Sequence, residues 1–222
     1  MAGRHDHRQH IHYLETLKGI ASMLRDPGST QSVFDIEDGL RDIEAAELFL
    51  RYVRRDPAMV GMIEERYLRH GQHDIPGLLK LPVDTLGYCF ARHIADHGFD
   101  PDYFRKIEIK DDLDYIMLRM RQTHDIWHVI TGFATDPIGE VGLKAVELAQ
   151  TRRPMSAVIA CGGVLRFLFH EPEDLGKVLS AVAEGYKMGT RSELLLAQKW
   201  EEHWERPLAE WRAMLNVTPV EA

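Results

Sequence analysis

Cysteine is scarce in this chain of 222 residues: only Cys89 and Cys161 occur. They share no metal-ligand spacing, which excludes a thiolate zinc site and a disulfide framework and points to a reduced compartment. Basic charge is also short, with 27 Lys and Arg against 35 Asp and Glu and a net charge of −8. Phosphate neutralisation needs a basic face, so nucleic acid is not expected as a partner. No apolar run approaches the roughly 20 residues that span a bilayer. No Gly-x-Gly-x-x-Gly or phosphate-cradling loop is present, so neither a nucleotide nor a flavin is indicated. A Ser-His-Asp or Cys-His arrangement cannot be picked out either. The first ten residues are polar and histidine-rich rather than secretory in character, and read as a disordered end of a cytoplasmic protein.

Period-two alternation is missing as well, along with repeats, low-complexity tracts and long linkers. Helical spacing of apolar residues fills the chain instead. The expected helices lie near 11–24, 36–54, 57–70, 83–97, 111–132, 136–150, 155–169, 173–189 and 193–215. Turn and first-turn signals fall between them, among them Asp56-Pro57, Pro76-Gly77, Gly98, Asp136-Pro137 and Pro154. The expectation is a single all-α domain over 11–222 of eight to nine packed helices, large enough to need no staples.

One segment carries chemistry. His124, Asp125 and His128 stand on the helix expected at 111–132, and Glu140 follows twelve residues after His128. Histidines four apart project from one helical face. Two neutral imidazoles with two carboxylates balance a divalent cation and suit zinc, iron or manganese. A capping box does not explain Glu140, because with Asp136 as cap and Pro137 as first residue it stands fourth rather than third. Gly132 can end the first helix and Thr135-Asp136-Pro137 can start the next. The short connection reads as an α-hairpin that permits Glu140 to face His128.

Other features carry weaker readings. His93, Asp96 and His97 form a rival group, but Gly98 looks like the residue after a helix C-terminus, where histidines interact favourably with the dipole. Arg121 lies three residues before His124 and Lys144 four after Glu140, so each can hold an anionic substrate group beside the metal. A plain Glu-Lys helix pair is the alternative for Lys144. Residues 155–169 are the most apolar run; Gly162-Gly163 inside it needs close packing by a helix or a ligand. That run is a core helix or the wall of a lipid pocket. Trp200, Trp204 and Trp211, at i, i+4 and i+11, share one face of the last expected helix and read as core or as a homodimer surface.

On these residues the chain resembles the coenzyme Q (ubiquinone) biosynthesis protein four family. That family's signature is His-Asp-x-x-His, eleven residues, then Glu, which His124, Asp125, His128 and Glu140 match without a gap. The likeness continues through Gly139-Glu140, Lys144, Gln150-Thr151 and Pro154-Met155, with Leu81-Pro82 and Thr85-Leu86-Gly87 upstream. It covers the chain from about residue 80 onward, with the first 35 unmatched. Three places depart from the family's pattern: Phe90 in place of Tyr, Arg152-Arg153 in place of Gly-Leu, and Asp136-Pro137 in the loop before Glu140.

The resemblance implies an all-α fold, a divalent metal on the four motif residues and apolar helices that accommodate a polyprenyl tail. It implies an enzyme of ubiquinone synthesis, which replaces the ring carboxylate of a polyprenylated hydroxybenzoate by a hydroxyl. With oxygen as the oxidant, iron or manganese is the natural metal; zinc fits a Lewis-acid role. The implied partners are other ubiquinone-biosynthesis enzymes, gathered at the inner face of the cell membrane of a bacterium. The reading from a different class is a non-catalytic isoprenoid-binding scaffold whose metal is structural.

Overall fold

The structure, a computed structural model, describes residues 40, 44–69, 71–101 and 107–220. The expected disordered segment 1–10 and helix 11–24 lie outside the described residues. Among those described, every regular element is a helix: α1 Glu44–Val53, α2 Pro57–Glu65, α3 Ile75–Leu78, α4 Leu86–His97, α5 Asp112–Thr131, α6 Pro137–Thr151, α7 Pro154–His170, α8 Leu175–Arg191 and α9 Leu208–Met214. Three single 3-10 turns accompany them at Pro172–Asp174, Leu195–Ala197 and Trp200–Glu202. The all-α expectation holds.

The starts and stops follow local chemistry. Asp56, Thr85, Asp111 and Asp136 each accept backbone N–H groups with their side chains at the heads of α2, α4, α5 and α6. Pro57, Pro137 and Pro154 occupy first-turn positions, where a missing N–H costs nothing. Gly98 and Gly132 close α4 and α5 in the left-handed conformation.

The chain forms two compact units, neither of them a continuous stretch: Met1–Tyr52 with Thr135–Lys187, and Val53–Ala134 with Met188–Ala222. In the first unit, α6 and α7 pack through Val141 and Phe167, with Val178 of α8. Gly163 meets that packing directly, since a Cβ there would stand 2.3 Å from Val141 Cγ2. Gly163, the second of the mid-helix glycines, is thus explained by a neighbouring helix. Gly185 of α8 similarly lets the Gly142 carbonyl approach to 2.2 Å from where a Cβ would be.

In the second unit, α4 packs on α5 over Leu86, Phe90, Ala91 and Ile94, all buried. The chain after α8 corrects one expectation: 193–215 is not a single helix but two 3-10 turns and the short α9. Its carbonyls are used elsewhere. Gly87 N–H donates to Trp204 O at 2.8 Å and Leu86 N–H to Arg206 O at 2.9 Å, so this segment satisfies the open N-terminus of α4. The three tryptophans therefore share no helical stripe. Trp200 and Trp211 pack on one another at 4.7 Å in the core, while Trp204 stacks on Phe90 at 5.2 Å.

Gly132 offers a direct check on this arrangement. Its φ is +80°, and a Cβ would lie 2.8 Å from the Val220 carbonyl oxygen, which belongs to a strap tied by Val220 N–H to Thr131 O. Gly132→Ala is expected to cost about 2 kcal/mol, from left-handed strain plus the clash. Thermal unfolding should fall by about 5 °C. An unchanged midpoint would mean that neither the left-handed turn nor the strap resists a side chain at this position.

Candidate metal centre

α5 is the helix that carries the motif. Asp111 caps its head and Gly132 its tail, and its length of 20 residues places His124 and His128 near its C-terminal end. His128 is 2 % exposed and its Nδ1 lies 2.9 Å from the Phe133 carbonyl oxygen. A carbonyl can only accept, so Nδ1 carries a proton, and in the neutral imidazole that tautomer leaves the lone pair on Nε2. Metal-bound imidazoles have their far nitrogen pinned in this way. The donor chemistry of His128 fits a metal.

His124 and His128 rings meet edge to face at 4.9 Å. Asp125 Oδ1 stands 3.5 Å from His124 Nδ1. Burial works to raise the Asp125 carboxyl, but the bond from His124 and the nearby imidazoles override it and hold the group below the usual carboxylate range. Glu140 is the fourth residue of α6 after the Asp136 cap, where its own N–H bonds the Asp136 carbonyl at 2.9 Å. Among the described residues one group could hold a metal ion. His124, His128 and Glu140 each offer one ligand atom, and these atoms lie within 4.8 Å of one another. Asp125 is not in that group, although the spacing places it beside the histidines.

Of the two cations proposed to hold an anion, Arg121 sits half-buried on α5 one turn before His124. Lys144 does not make the ordinary pair with Glu140; its Nζ donates to Glu147 Oε2 at 2.7 Å. Phe90, Asp136-Pro137 and Arg152-Arg153 keep local roles: Phe90 is core against Trp204, Asp136 caps α6, and Arg152 closes α6 with φ +60°.

Two residues near this chemistry escape a reading of the sequence. His93, taken with Asp96 and His97 as a helix-end group, stacks on His128 at 5.8 Å and 18°. Its Nε2 is buried without a hydrogen-bond partner. Burial, followed by the neighbouring His128, pushes His93 down to about 4. The rest of that group is structural, with Asp96 paired to Arg92 at 2.7 Å and His97 Nδ1 on the His93 carbonyl at 2.8 Å.

Glu147 is the second. Only 3 % exposed, it accepts from Lys144, from Arg153 at 3.0 Å and from Ser156 Oγ at 2.6 Å. An acid on the apolar face of α6 is the signal that marks it. Burial alone would raise its carboxyl; the charges of Lys144 and Arg153 and the hydrogen bonds win and lower it from 4.5 to about 2. A depressed carboxyl stabilises the fold above its unfolded pKa and loses that contribution as pH falls from about 4.5 through about 2. The shift corresponds to roughly 3 kcal/mol. Urea unfolding between pH 7 and pH 2.5 should therefore show Glu147→Gln less stable at neutral pH and level with wild type near the acid end. Parallel curves at all pH values would contradict this.

Comparison with known proteins gives a consistent result. Residues 51–221 match the model of the family described as coenzyme Q (ubiquinone) biosynthesis protein Coq4. The mitochondrial ubiquinone biosynthesis protein COQ4 homologue of Anopheles gambiae is 31 % identical over 178 residues, covering 78 % of this chain and 62 % of that protein. The counterpart from Danio rerio is 33 % identical over 168 residues, 74 % of this chain and 61 % of its own. The chain thus spans about three fifths of the length of these relatives. A crystal structure of a protein from Nostoc punctiforme PCC 73102, named for ubiquinone biosynthesis, superposes with a TM-score of 0.82 at 31 % identity, over 90 % of this chain and 96 % of that one. With the family model matching from residue 51 to residue 221, this chain belongs to the coenzyme Q (ubiquinone) biosynthesis protein Coq4 family.

Proposed function

We propose that the protein is a metal-dependent oxidative decarboxylase of ubiquinone synthesis, acting on a polyprenylated hydroxybenzoate. The observation that carries the reading is the ligand group of His124, His128 and Glu140, with His128 Nδ1 tied to the Phe133 carbonyl. In this reading those three residues hold the ion, and Asp125 orients His124 or adds a fourth oxygen. When bound, the ion supplies an electrophile for the carboxylate and for the charge that develops as the carboxylate leaves. Lys144 and Arg121 fix the same carboxylate and aim the ring.

In the reaction the bond from ring C1 to the carboxylate breaks, carbon dioxide leaves, and a C1–oxygen bond forms. This is a two-electron oxidation: dioxygen takes the two electrons and leaves as hydrogen peroxide, while water supplies the oxygen that bonds to C1. Iron or manganese suits that role better than zinc. The prenyl tail would lie along the apolar residues of α7. Contact with a membrane surface and with partner enzymes is the corresponding proposal for the outside of α7, where Leu165, Leu168 and Phe169 are exposed. No helix among the described residues is long and apolar enough to cross a membrane.

The test is anaerobic reconstitution with iron, manganese or zinc, followed by air and a short-chain prenylated hydroxybenzoate. Carbon dioxide and hydroquinone formed in equal amounts, only with metal and only in air, are expected. Tight binding of the acid without product under any metal would favour the scaffold and remove the enzyme.

A further inference from the structure

We propose that Glu147 is a positioning residue: it fixes the Lys144 ammonium one turn beyond Glu140 so that this ammonium takes the carboxylate of an aromatic acid. The inference rests on the function proposed above, which supplies the acid. Lys144 and Glu140 are four apart on α6 and share a face. The lysine is mostly buried, 14 % exposed, and it gives one of its three N–H donors to Glu147. Two donors remain beyond that bond.

Glu147 is held at both oxygens: Oε2 takes Lys144 while Oε1 takes both Arg153 and Ser156. Arg153 caps the head of α7 and Ser156 lies in its first turn, so two helices clamp the carboxylate. A surface lysine–glutamate pair three apart needs neither burial nor further donors. Here the carboxylate is locked first, and it holds a flexible four-carbon side chain at one place. Without its counter-charge the ammonium would leave the interior for water.

The experiment compares binding of a short-chain prenylated hydroxybenzoate with that of its methyl ester, by calorimetry on the zinc-loaded protein under nitrogen. Wild type should prefer the acid at least about tenfold, as a charge-assisted contact allows. Lys144→Met should abolish the preference, and Glu147→Gln should reduce it below about threefold. In the Lys144→Met background, Glu147→Gln should change the ratio no further. Should Glu147→Gln fail to fold, Ser156→Ala loosens the same carboxylate and should lower the preference by a smaller factor. A destabilised Glu147→Gln, or a folded Ser156→Ala in its place, that keeps the full preference makes the clamp purely structural and overturns the inference. So does a Lys144→Met protein with its preference intact. Equal binding of acid and ester by wild type removes the inference and leaves the proposed function standing; binding of neither removes both.

Discussion

Alanine at position 128 should leave a folded protein that has lost its metal and its turnover together. His128 is 2 % exposed, and its ring contributes the Nδ1 bond to the Phe133 carbonyl and the contacts to His93 and His124. Removing it costs a hydrogen bond of about 1 kcal/mol and some packing, which a core of this size absorbs. Removing one of three ligands is a larger matter for the ion: affinity should fall by about a hundredfold or more, since even partners outside the ligand set are worth about 10–100-fold. Asp125→Asn should fall in that lower range if Asp125 serves His124 through Nδ1, and as far as His128→Ala if it is a ligand itself. Metal content by mass spectrometry, carbon dioxide release and the thermal midpoint are read on the same samples. A His128→Ala protein that unfolds outright identifies a structural ion and favours the scaffold. One that keeps full metal and activity removes this centre from the reaction.

The sequence makes some parts of this molecule plain and hides others for physical reasons. The boundaries of α4, α5 and α6 are legible because their determinants are local: a capping Thr or Asp at each head, Pro137 at a first turn, and Gly98 and Gly132 in the left-handed conformation at the ends of α4 and α5. The pairing of His124 with His128 is legible because a four-residue spacing on one helix is also local, whereas spacing permits but does not fix the approach of Glu140 from the next helix. The segment 193–215 is not, since its apolar residues fit a helix while its conformation is decided by distant amides of α4. Pro207 in the middle of it is the signal against one continuous helix. His93 and Glu147 depend on tertiary neighbours: a ring from α5 beside His93, and donors from α7 around Glu147. Residue type and spacing leave His93 unmarked and mark Glu147 only as an acid on an apolar helix face, without its partners.

Arg119→Ala is expected to be the most destabilising of the substitutions considered. Arg119 is fully buried on α5, and its guanidinium makes two bonds to Glu201, at 2.6 and 3.0 Å, and one to the Gln198 carbonyl at 2.7 Å. The group also lies over the Tyr67 ring at 5.3 Å. These contacts tie the stretch of 3-10 turns that follows α8 to the middle of α5. A buried pair is weak ground for net stability, because desolvating both charges offsets most of their attraction. Breaking it is another matter. With Arg119 gone, the Glu201 carboxylate, only 10 % exposed, and the Gln198 carbonyl are stranded, at a cost of about 3–5 kcal/mol. Thermal unfolding should drop by about 10 °C. Arg119→Lys keeps the charge but cannot span both carboxylate oxygens, and should lose about half as much. The decisive comparison is Arg119→Met with and without Glu201→Leu. If the loss is mainly the stranded carboxylate, the double variant recovers most of what Arg119→Met loses. If it recovers nothing, the guanidinium packing on Tyr67 and the Gln198 bond hold the segment, and the ion pair is incidental to its placement.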